Sequence, residues 1–291
     1  MTSRWHLPAA TLASNGDPAV VTPERAGWRY AGLYVIRLAP GERRALASGA
    51  REMLLLPLAG GCVVEVDNAL VELKGRADVF SGISDSLYLP PGIEAEVTSE
   101  RGIELAVPWA AEAEPRHPAS YLPADRVSVE VRGAGRATRQ INDVFTARGT
   151  SGHRLAVVEV LTPGGNWSSY PPHKHDAPSA AGEQVLEEIY YFRIAGEHGY
   201  GIHRTYTADG ELDETVTVRD GDVFLVPRGY HGPCAAPPEF PMYYLNVLAG
   251  PGDERTLGFS DDPAYAWIRS SWSGMEQDPR VPLVRAAGAR A

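Results

Sequence analysis

Short runs rich in β-branched and aliphatic residues recur along the chain, separated by turn residues, and such runs predict short β-strands. In the first half they cover residues 33–38, 53–58, 62–66, 69–73, 86–89 and 103–107. In the second half they cover residues 127–131, 155–161, 187–194, 201–206, 215–218, 222–226 and 243–248. The pattern predicts an all-β protein with two similar halves.

The two halves also share an internal sequence pattern. An acidic turn, an apolar strand and a Pro-Gly turn follow one another from Asp78 to Gly92 and again in the segment DGDVFLVPRG at 220–229. This repetition suggests a duplicated β-barrel. Residues 110–123 lack strand or helix patterning and read as a linker, so we predict an N-terminal domain over 1–122 and a C-terminal domain over 123–291.

The end of the chain has a different pattern. The segment DDPAYAWIRSSW at 261–272 predicts one or two helical turns in a short C-terminal helical tail. We expect its Trp267, Ile268 and Trp272 to pack against the barrels.

Composition and charge narrow the classes of partner. Thirty Gly and twenty-four Pro, scattered along the chain, agree with many tight turns. The net charge of −10 disfavours nucleic acid or an anionic membrane surface as a partner. Cys62 and Cys234 lack zinc-ribbon or redox spacing, which predicts two buried reduced thiols. With no signal-peptide pattern and no long apolar span, we expect a cytoplasmic protein.

Three histidines and one glutamate are candidates for a metal site. His173 and His175 are one residue apart, so in an extended segment both side chains point to one face and can grip one ion. Glu188 opens an aromatic strand, where a buried carboxylate needs a cation. His231 follows a Pro-Arg-Gly turn. We predict one divalent ion per chain, Zn²⁺ or Mn²⁺, with Fe²⁺, Co²⁺ or Ni²⁺ as alternatives.

These motifs resemble those of the cupin superfamily: His-x-His and then Glu, followed by Gly221-x5-Pro227-x-Gly229 and His231. More narrowly, PPHKHD, LEEIYYFRI, DGDVFLVPRGYHGP, YYLNVLAGP and DPAYAWIRSSW together look like the 5-deoxy-glucuronate isomerase family of myo-inositol catabolism, which is related to 4-deoxy-5-keto-uronate isomerases. The resemblance spans most of the chain after Val127. The segment 176–186, longer than in many cupins, is expected to loop out without moving the strands.

The resemblance implies a fold and a reaction. The fold would be a bicupin with two jelly-roll-like β-barrels, the first a metal-free copy and the second holding the metal. The reaction would convert 5-deoxy-D-glucuronate to 5-dehydro-2-deoxy-D-gluconate, so the partner would be a small sugar acid. A homo-oligomer is expected.

An aldose-to-ketose isomerisation requires removal of the C2 proton and stabilisation of the enediolate that develops. A carboxylate or tyrosinate would serve as the base if its pKa lay near the working pH. The catalytic candidates, on inward strand faces or beside the metal motif, are Tyr190, Tyr244 and Glu187. The candidates for substrate binding are Arg139, Lys174, Arg228 and Asn246. Arginine suits a carboxylate because it pairs with it bidentately.

Two other functions are compatible with the same fold and candidate residues. An iron-dependent cupin dioxygenase employs the same three histidines and glutamate. A non-catalytic sugar-binding or regulatory cupin is the second alternative, although no helix-turn-helix pattern or basic region supports DNA binding.

Overall fold

A computed structural model describes residues 3–179, 182–253 and 255–286, and most of its regular structure is β-strand. The strands up to residue 122 are β1 (His6–Leu7), β2 (Ala19–Val21), β3 (Ala31–Leu38), β4 (Arg43–Ala47), β5 (Glu52–Val66), β6 (Ala69–Arg76), β7 (Ser86–Leu89), β8 (Glu94–Thr98), β9 (Ile103–Ala110) and β10 (Ser120–Leu122). The later strands are β11 (Ser128–Arg132), β12 (Arg139–Phe145), β13 (Ala156–Thr162), β14 (Trp167–Ser168), β15 (His173–Lys174), β16 (Glu187–Ile194), β17 (Gly201–Tyr206), β18 (Asp213–Val218), β19 (Val223–Val226), β20 (Tyr230–Ala235), β21 (Met242–Ala249) and β22 (Ser260–Asp261).

The α-helices of the described residues are short: α1 (Pro23–Ala26) and α2 (Trp267–Ser271). The prediction of an all-β fold is therefore confirmed. In the described ranges, no helix combines the length and the apolar character needed to cross a membrane.

Strands β2 to β10 form one nine-stranded sheet with the central order β10-β7-β5-β9-β3-β2. Its longest member, β5, corrects the prediction of two separate strands at 53–58 and 62–66. The chain continues through Gly60 and Gly61 as one strand with local register shifts. At Gly60 the backbone has φ +82° and a Cβ would lie 2.4 Å from the carbonyl oxygen of Gly102, so glycine bends the strand there without ending it.

The second half contains two sheets. A seven-stranded sheet has the order β1-β19-β16-β21-β13-β12-β11, and a six-stranded sheet has the order β18-β17-β20-β15-β22 with β14 beside β20. Strand β1 belongs to this half, because it pairs with β19. Strand β10, which ends at Leu122, pairs with β7 of the first half. The domain boundary at 122/123 stays a prediction.

Two carboxylates cross between the halves in a reciprocal manner. Glu187, the first residue of β16, accepts hydrogen bonds of 2.8 Å from the backbone N–H groups of residues 29–31 at the start of β3. Glu52, the first residue of β5, accepts backbone hydrogen bonds from residues 153–155 just before β13. Each half thus supplies a carboxylate that accepts hydrogen bonds from the backbone N–H groups at the start of a strand in the other half.

A buried ion pair also joins the halves. Arg76 of β6 donates to Glu159 of β13, and both side chains are almost fully buried. Glu159 accepts further hydrogen bonds from Asn142 at 3.0 Å and from the hydroxyl of Tyr243 at 2.9 Å. Because apolar residues of both halves surround these groups in one continuous core, the halves pack as a single unit.

The C-terminal tail contains α2 within the predicted segment. Ile268 is buried as expected, but Trp267 is 64% exposed, so the packing prediction is wrong for Trp267. Neighbouring residues of a helix point about 100° apart, and the side of α2 that faces the protein is that of Ile268. Trp272 is half-buried beside Arg139. Further on, Val284 enters the core between the halves.

Candidate metal centre and its cavity

Three buried side chains meet on the inner side of the second half: His175, Glu188 and His231. The Nε2 atoms of both histidines lie 2.9 Å from the same carboxylate oxygen, Oε2 of Glu188. The imidazole rings are 4.7 Å apart between centroids. Imidazole and carboxylate donors held this close can bind a divalent ion.

Local structure explains why these residues meet. Glu188 lies on β16, between β19 and β21. His231 lies on β20 and pairs directly with His173 of β15. Gly232 follows with φ +105°, and a Cβ there would lie 2.5 Å from the carbonyl oxygen of Ser169. Only glycine lets these segments approach so closely.

The hydrogen-bond pattern of the two imidazoles tests whether a cation fits. Nδ1 of His175 lies 3.0 Å from the carbonyl of Leu186, and Nδ1 of His231 lies 3.2 Å from the carbonyl of Gly229. With the proton on Nδ1, each Nε2 presents a lone pair towards Glu188. Nε2 of His231 is buried and lies 2.9 Å from Oε2 of Glu188, but among the described residues it forms no hydrogen bond of good geometry. Lone pairs that converge on a carboxylate need a positive charge between them, so the residues fit a metal ion.

The pKa shifts of Glu188 and His175 also fit a positive charge at the cluster. Burial acts to raise the pKa of Glu188, but the two histidines outweigh it and hold that pKa well below its usual range. Burial acts to lower the pKa of His175, but the contact with Glu188 outweighs it and raises that pKa. The carboxylate is therefore ionised, and a proton or a cation balances it.

His173, the fourth predicted ligand, lies beside this cluster. Its ring centroid is 4.8 Å from that of His231 and 6.4 Å from that of His175. Burial and the neighbouring His231 lower the pKa of His173, which keeps its imidazole neutral. All four predicted residues are thus brought together, with three in the tight group and His173 at its edge.

A cavity of about 620 Å³ extends from the cluster across the seven-stranded sheet. Near the cluster it is lined by Ser169, Tyr190, Tyr244 and Asn246. The amide Nδ2 of Asn246 is buried and has no hydrogen-bond partner in the described part of the chain. A substrate oxygen can take this free donor.

Two tyrosines and a serine form a hydroxyl chain in the cavity wall. The Ser169 hydroxyl lies 2.8 Å from that of Tyr244 and 3.3 Å from that of Tyr190. Burial raises the pKa of both tyrosines, so they stay protonated at neutral pH. This disfavours the predicted tyrosinate base and makes both phenols hydrogen-bond donors. Ser169 was not among the residues predicted from the sequence, where its only signal is its position just before the His-x-His segment.

Three predicted residues do not reach the cavity. Lys174 points away from the histidine pair, as its place between them predicts, and its Nζ lies 2.7 Å from Glu183 Oε1 and 2.8 Å from Asp176 Oδ1. Those contacts anchor the segment 176–186, of which 180 and 181 lie outside the described residues. Arg228 is half-exposed and pairs with Glu211 on the surface.

Glu187 is the third predicted residue that does not reach the cavity. Its carboxylate accepts hydrogen bonds from the backbone N–H groups of residues 29–31 instead. Neighbours in a strand face opposite sides, so Glu187 cannot share the cavity with Glu188. This geometry disfavours a catalytic role for Glu187. Its carboxylate lies instead at the contact between the halves.

We expect Glu187→Gln to lower the free energy of unfolding by about 1–3 kcal/mol, since an amide is a weaker acceptor and presents one N–H₂ group to backbone donors. Metal content and kcat should stay near the wild-type values. Urea unfolding and elemental analysis check this. Glu52→Gln is the matched control, with a similar loss expected. Loss of the metal in Glu187→Gln alone would contradict this placement.

The first half has no comparable donor group among its described residues. Glu52 and Glu187 correspond, because each begins a central strand and crosses to the other half. By this correspondence Met53 stands at the position of Glu188, and it packs in an apolar core with Trp109. A thioether and an indole offer neither the charge nor the lone pairs of a carboxylate and an imidazole.

His203, which the sequence leaves outside the ligand set, lies in the core beneath the site. Its Nδ1 lies 3.1 Å from Cys234 Sγ and its Nε2 lies 3.0 Å from the Thr205 hydroxyl. Burial lowers the pKa of His203 to about 3, so it is neutral. Cys234 and Cys62 are buried and unpaired, as predicted.

The sequence matches the model of the KduI/IolB family over residues 6–268. The 5-deoxy-glucuronate isomerase of Geobacillus thermodenitrificans (strain NG80-2) is 41% identical over 271 residues, which cover 92% of this chain and 97% of that protein. The 5-deoxy-glucuronate isomerase of Bacillus subtilis (strain 168) is 34% identical over 265 residues, covering 90% and 96%.

Solved structures show the same fold. An iolb-like protein from Salmonella typhimurium LT2 superposes with a TM-score of 0.85 at 35% identity, covering 91% of this chain and 99% of that one. The oxalate decarboxylase of Lactobacillus farciminis superposes with a TM-score of 0.65 at 12% identity, covering 90% and 89%. At that low identity the second match shows the fold alone, which is the bicupin fold implied by the sequence motifs.

Proposed function

The chain belongs to the KduI/IolB family, and on that premise we propose that it is a metal-dependent isomerase that converts 5-deoxy-D-glucuronate to 5-dehydro-2-deoxy-D-gluconate. The observation that carries the proposal is the buried group of His175, Glu188 and His231 at one end of a cavity lined by hydroxyls and arginines. Relatives at 34–41% identity over most of the chain, named for this reaction, support it.

The proposed ligands of one divalent ion are His173, His175, Glu188 and His231. The set suits Zn²⁺ or Mn²⁺, with Fe²⁺, Co²⁺ and Ni²⁺ as alternatives. When bound, the ion supplies Lewis-acid stabilisation of the negative charge that develops on the oxygens at C1 and C2.

The neighbouring side chains have distinct proposed tasks. The protonated hydroxyls of Tyr190 and Tyr244 donate hydrogen bonds to the oxygens at C1 and C2, and Ser169 holds the two phenols in one chain. The free amide N–H₂ of Asn246 binds a hydroxyl oxygen of the substrate. Together these groups orient the open-chain sugar acid for the transfer of hydrogen from C2 to C1, while the proton of the C2 hydroxyl passes to the C1 oxygen.

An assay with and without oxygen tests the proposal. Metal-loaded protein should convert 5-deoxy-glucuronate to the 2-deoxy-5-keto acid at equal rates in air and under argon, as read by NMR. About one metal ion per chain is expected by elemental analysis. Oxygen consumption coupled to turnover would favour the dioxygenase alternative. Binding of the sugar acid without any conversion would favour the non-catalytic alternative.

Metal binding should release a proton, because a cation replaces the proton that the raised pKa of His175 keeps at the cluster. Affinity should therefore rise with pH and level off above the pKa of His175. Calorimetric titration at a pH of about 6.5, the ordinary value for histidine, in two buffers of different ionisation enthalpy measures the release. A binding heat that is the same in both buffers would contradict the prediction.

A cytoplasmic location and a homo-oligomeric state are also proposed. The first is supported by two buried cysteines without a disulfide. The second follows from the family resemblance and is open to size-exclusion chromatography with light scattering.

A further inference from the structure

Beyond the two tyrosines, the cavity wall is rich in positive charge. Among the described residues, five arginines and three carboxylates line it: Arg132, Arg139, Arg148, Arg255 and Arg269, with Glu130, Asp143 and Glu188. A metal ion would add to this excess. The cavity is therefore suited to an anion, although the whole chain carries a net charge of −10.

The arginines differ in how far their charges are already compensated. Arg132 forms two hydrogen bonds of 2.7 Å with Glu130, and Arg148 lies 3.9 Å from the same carboxylate. Arg269 pairs through two nitrogens with Asp261. These three are partnered by carboxylates of the protein.

Arg255 has no carboxylate within salt-bridge distance among the described residues. It donates instead to the backbone carbonyls of Leu155, Thr146 and Thr150. Its guanidinium also packs over the ring of Phe145 at 4.5 Å. Its donors are therefore largely used by the protein itself.

Arg139 differs from the other four. It is only 3% exposed, and within the described ranges it forms no ion pair. A guanidinium has five N–H donors, yet Arg139 donates one hydrogen bond, at 3.0 Å, to the carbonyl of Ala137. Burial lowers the pKa of Arg139 to about 10, so it remains charged at neutral pH. A buried charge with unused donors calls for an anion.

The glycine motif before β12 makes room for this side chain. Gly133 has φ +84°, and a Cβ there would lie 2.1 Å from the Ala137 carbonyl oxygen and 2.9 Å from Nη1 of Arg139. Any larger residue would push the guanidinium out of its place. The segment Arg132-Gly-Ala-Gly contains none of the proposed metal ligands. Its role is to hold the side chain of Arg139 in place.

Arg139 lies beside the hydroxyl chain. Ile141, two residues further along β12, is level with Val160 of β13 and Tyr244 of β21, and all four side chains line the cavity. Tyr244 lies close enough for the charge of Arg139 to act on its phenol. The hydroxyl chain thus connects Arg139 to the end of the cavity that holds the metal group.

We propose that Arg139 binds the carboxylate of the sugar acid and thereby directs its C1–C2 end to the metal group. The inference rests on the proposed isomerase function. Orientation matters because a carboxylate is itself a good metal ligand, and a substrate bound in reverse would be unproductive. Arg139 therefore determines both specificity for acids and the direction of binding.

The test compares the acid with its neutral amide in wild-type protein, Arg139→Met and Arg139→Lys. Wild type should prefer the acid, and Arg139→Met should lose this preference with a fall in kcat/KM for the acid of about 10- to 100-fold, mainly through KM. Arg139→Lys should be intermediate, since it keeps the charge but not the planar fork. Metal content should be unchanged. Arg132→Met is the matched control and should keep the preference for the acid.

Retention of that preference in Arg139→Met, or an equal loss in Arg132→Met, would overturn the inference. If Arg139→Met does not fold, calorimetry on the metal-loaded wild type provides the second measurement. The probes are the substrate with its aldehyde reduced to the alcohol and the amide of that compound. Tighter binding of the acid supports the subsite, and equal affinities refute it. This binding test holds even if the wild type shows no isomerisation, which would refute the proposed function alone.

Discussion

His175→Ala should lose the metal ion and lower kcat/KM by on the order of 10³-fold or more, because Lewis-acid stabilisation of the developing charge is worth several kcal/mol. His175 is the residue whose Nε2 forms the 2.9 Å contact with Glu188 and whose Nδ1 is fixed by the Leu186 carbonyl.

Elemental analysis, kinetics and circular dichroism together check this expectation. The strands and the apolar core do not depend on His175, so the spectrum should match that of wild type. Glu188→Gln should behave in the same way. His198→Ala, which changes an exposed histidine, is the matched control and should keep metal and activity. Normal activity with normal metal content in His175→Ala would remove this residue from the ligand set.

Glu159→Gln should have the largest effect on stability, with a loss of about 3–5 kcal/mol in the free energy of unfolding. The change leaves Arg76 charged and buried between the halves without its carboxylate. A guanidinium does not lose its proton in a protein, so Arg76 cannot escape the cost in this way.

Urea unfolding measures the loss in the free energy of unfolding. Two further variants show whether this loss comes from the unpaired buried charge. Asp213→Asn removes an exposed partner of Arg204 and should cost less than about 1 kcal/mol. The double change Arg76→Met with Glu159→Leu should recover part of the stability, because no charge is then left unpaired, while Asn142 and Tyr243 still lose their acceptor. Metal content should stay normal in the folded protein. A loss in Glu159→Gln no greater than in Asp213→Asn would show that the buried pair does not stabilise the contact between the halves.

The sequence alone was enough for features that depend on local pattern. Runs of β-branched and aliphatic residues between turn residues identified most strands. Alternation with a period of two predicted that Glu188 and Tyr190 share one face and that Lys174 points away from the histidine pair. Composition, the spacing of glycine and proline, and the repeated acidic-turn pattern indicated two β-halves. The four proposed metal ligands were found because their residue types are rarely buried without a purpose.

Tertiary structure decided everything that depends on which segments meet. Ser169 joins two tyrosines on different strands. Arg139 stands out only because its neighbours Arg132 and Arg269 have carboxylate partners, whereas Arg139 has none among the residues that the structure describes. Glu187 was a catalytic candidate until the backbone of the other half was seen to take its carboxylate. Hydrogen-bond partners, burial and charge compensation arise between residues far apart in the chain, so a local pattern can place a side chain on a face but cannot say what that face meets.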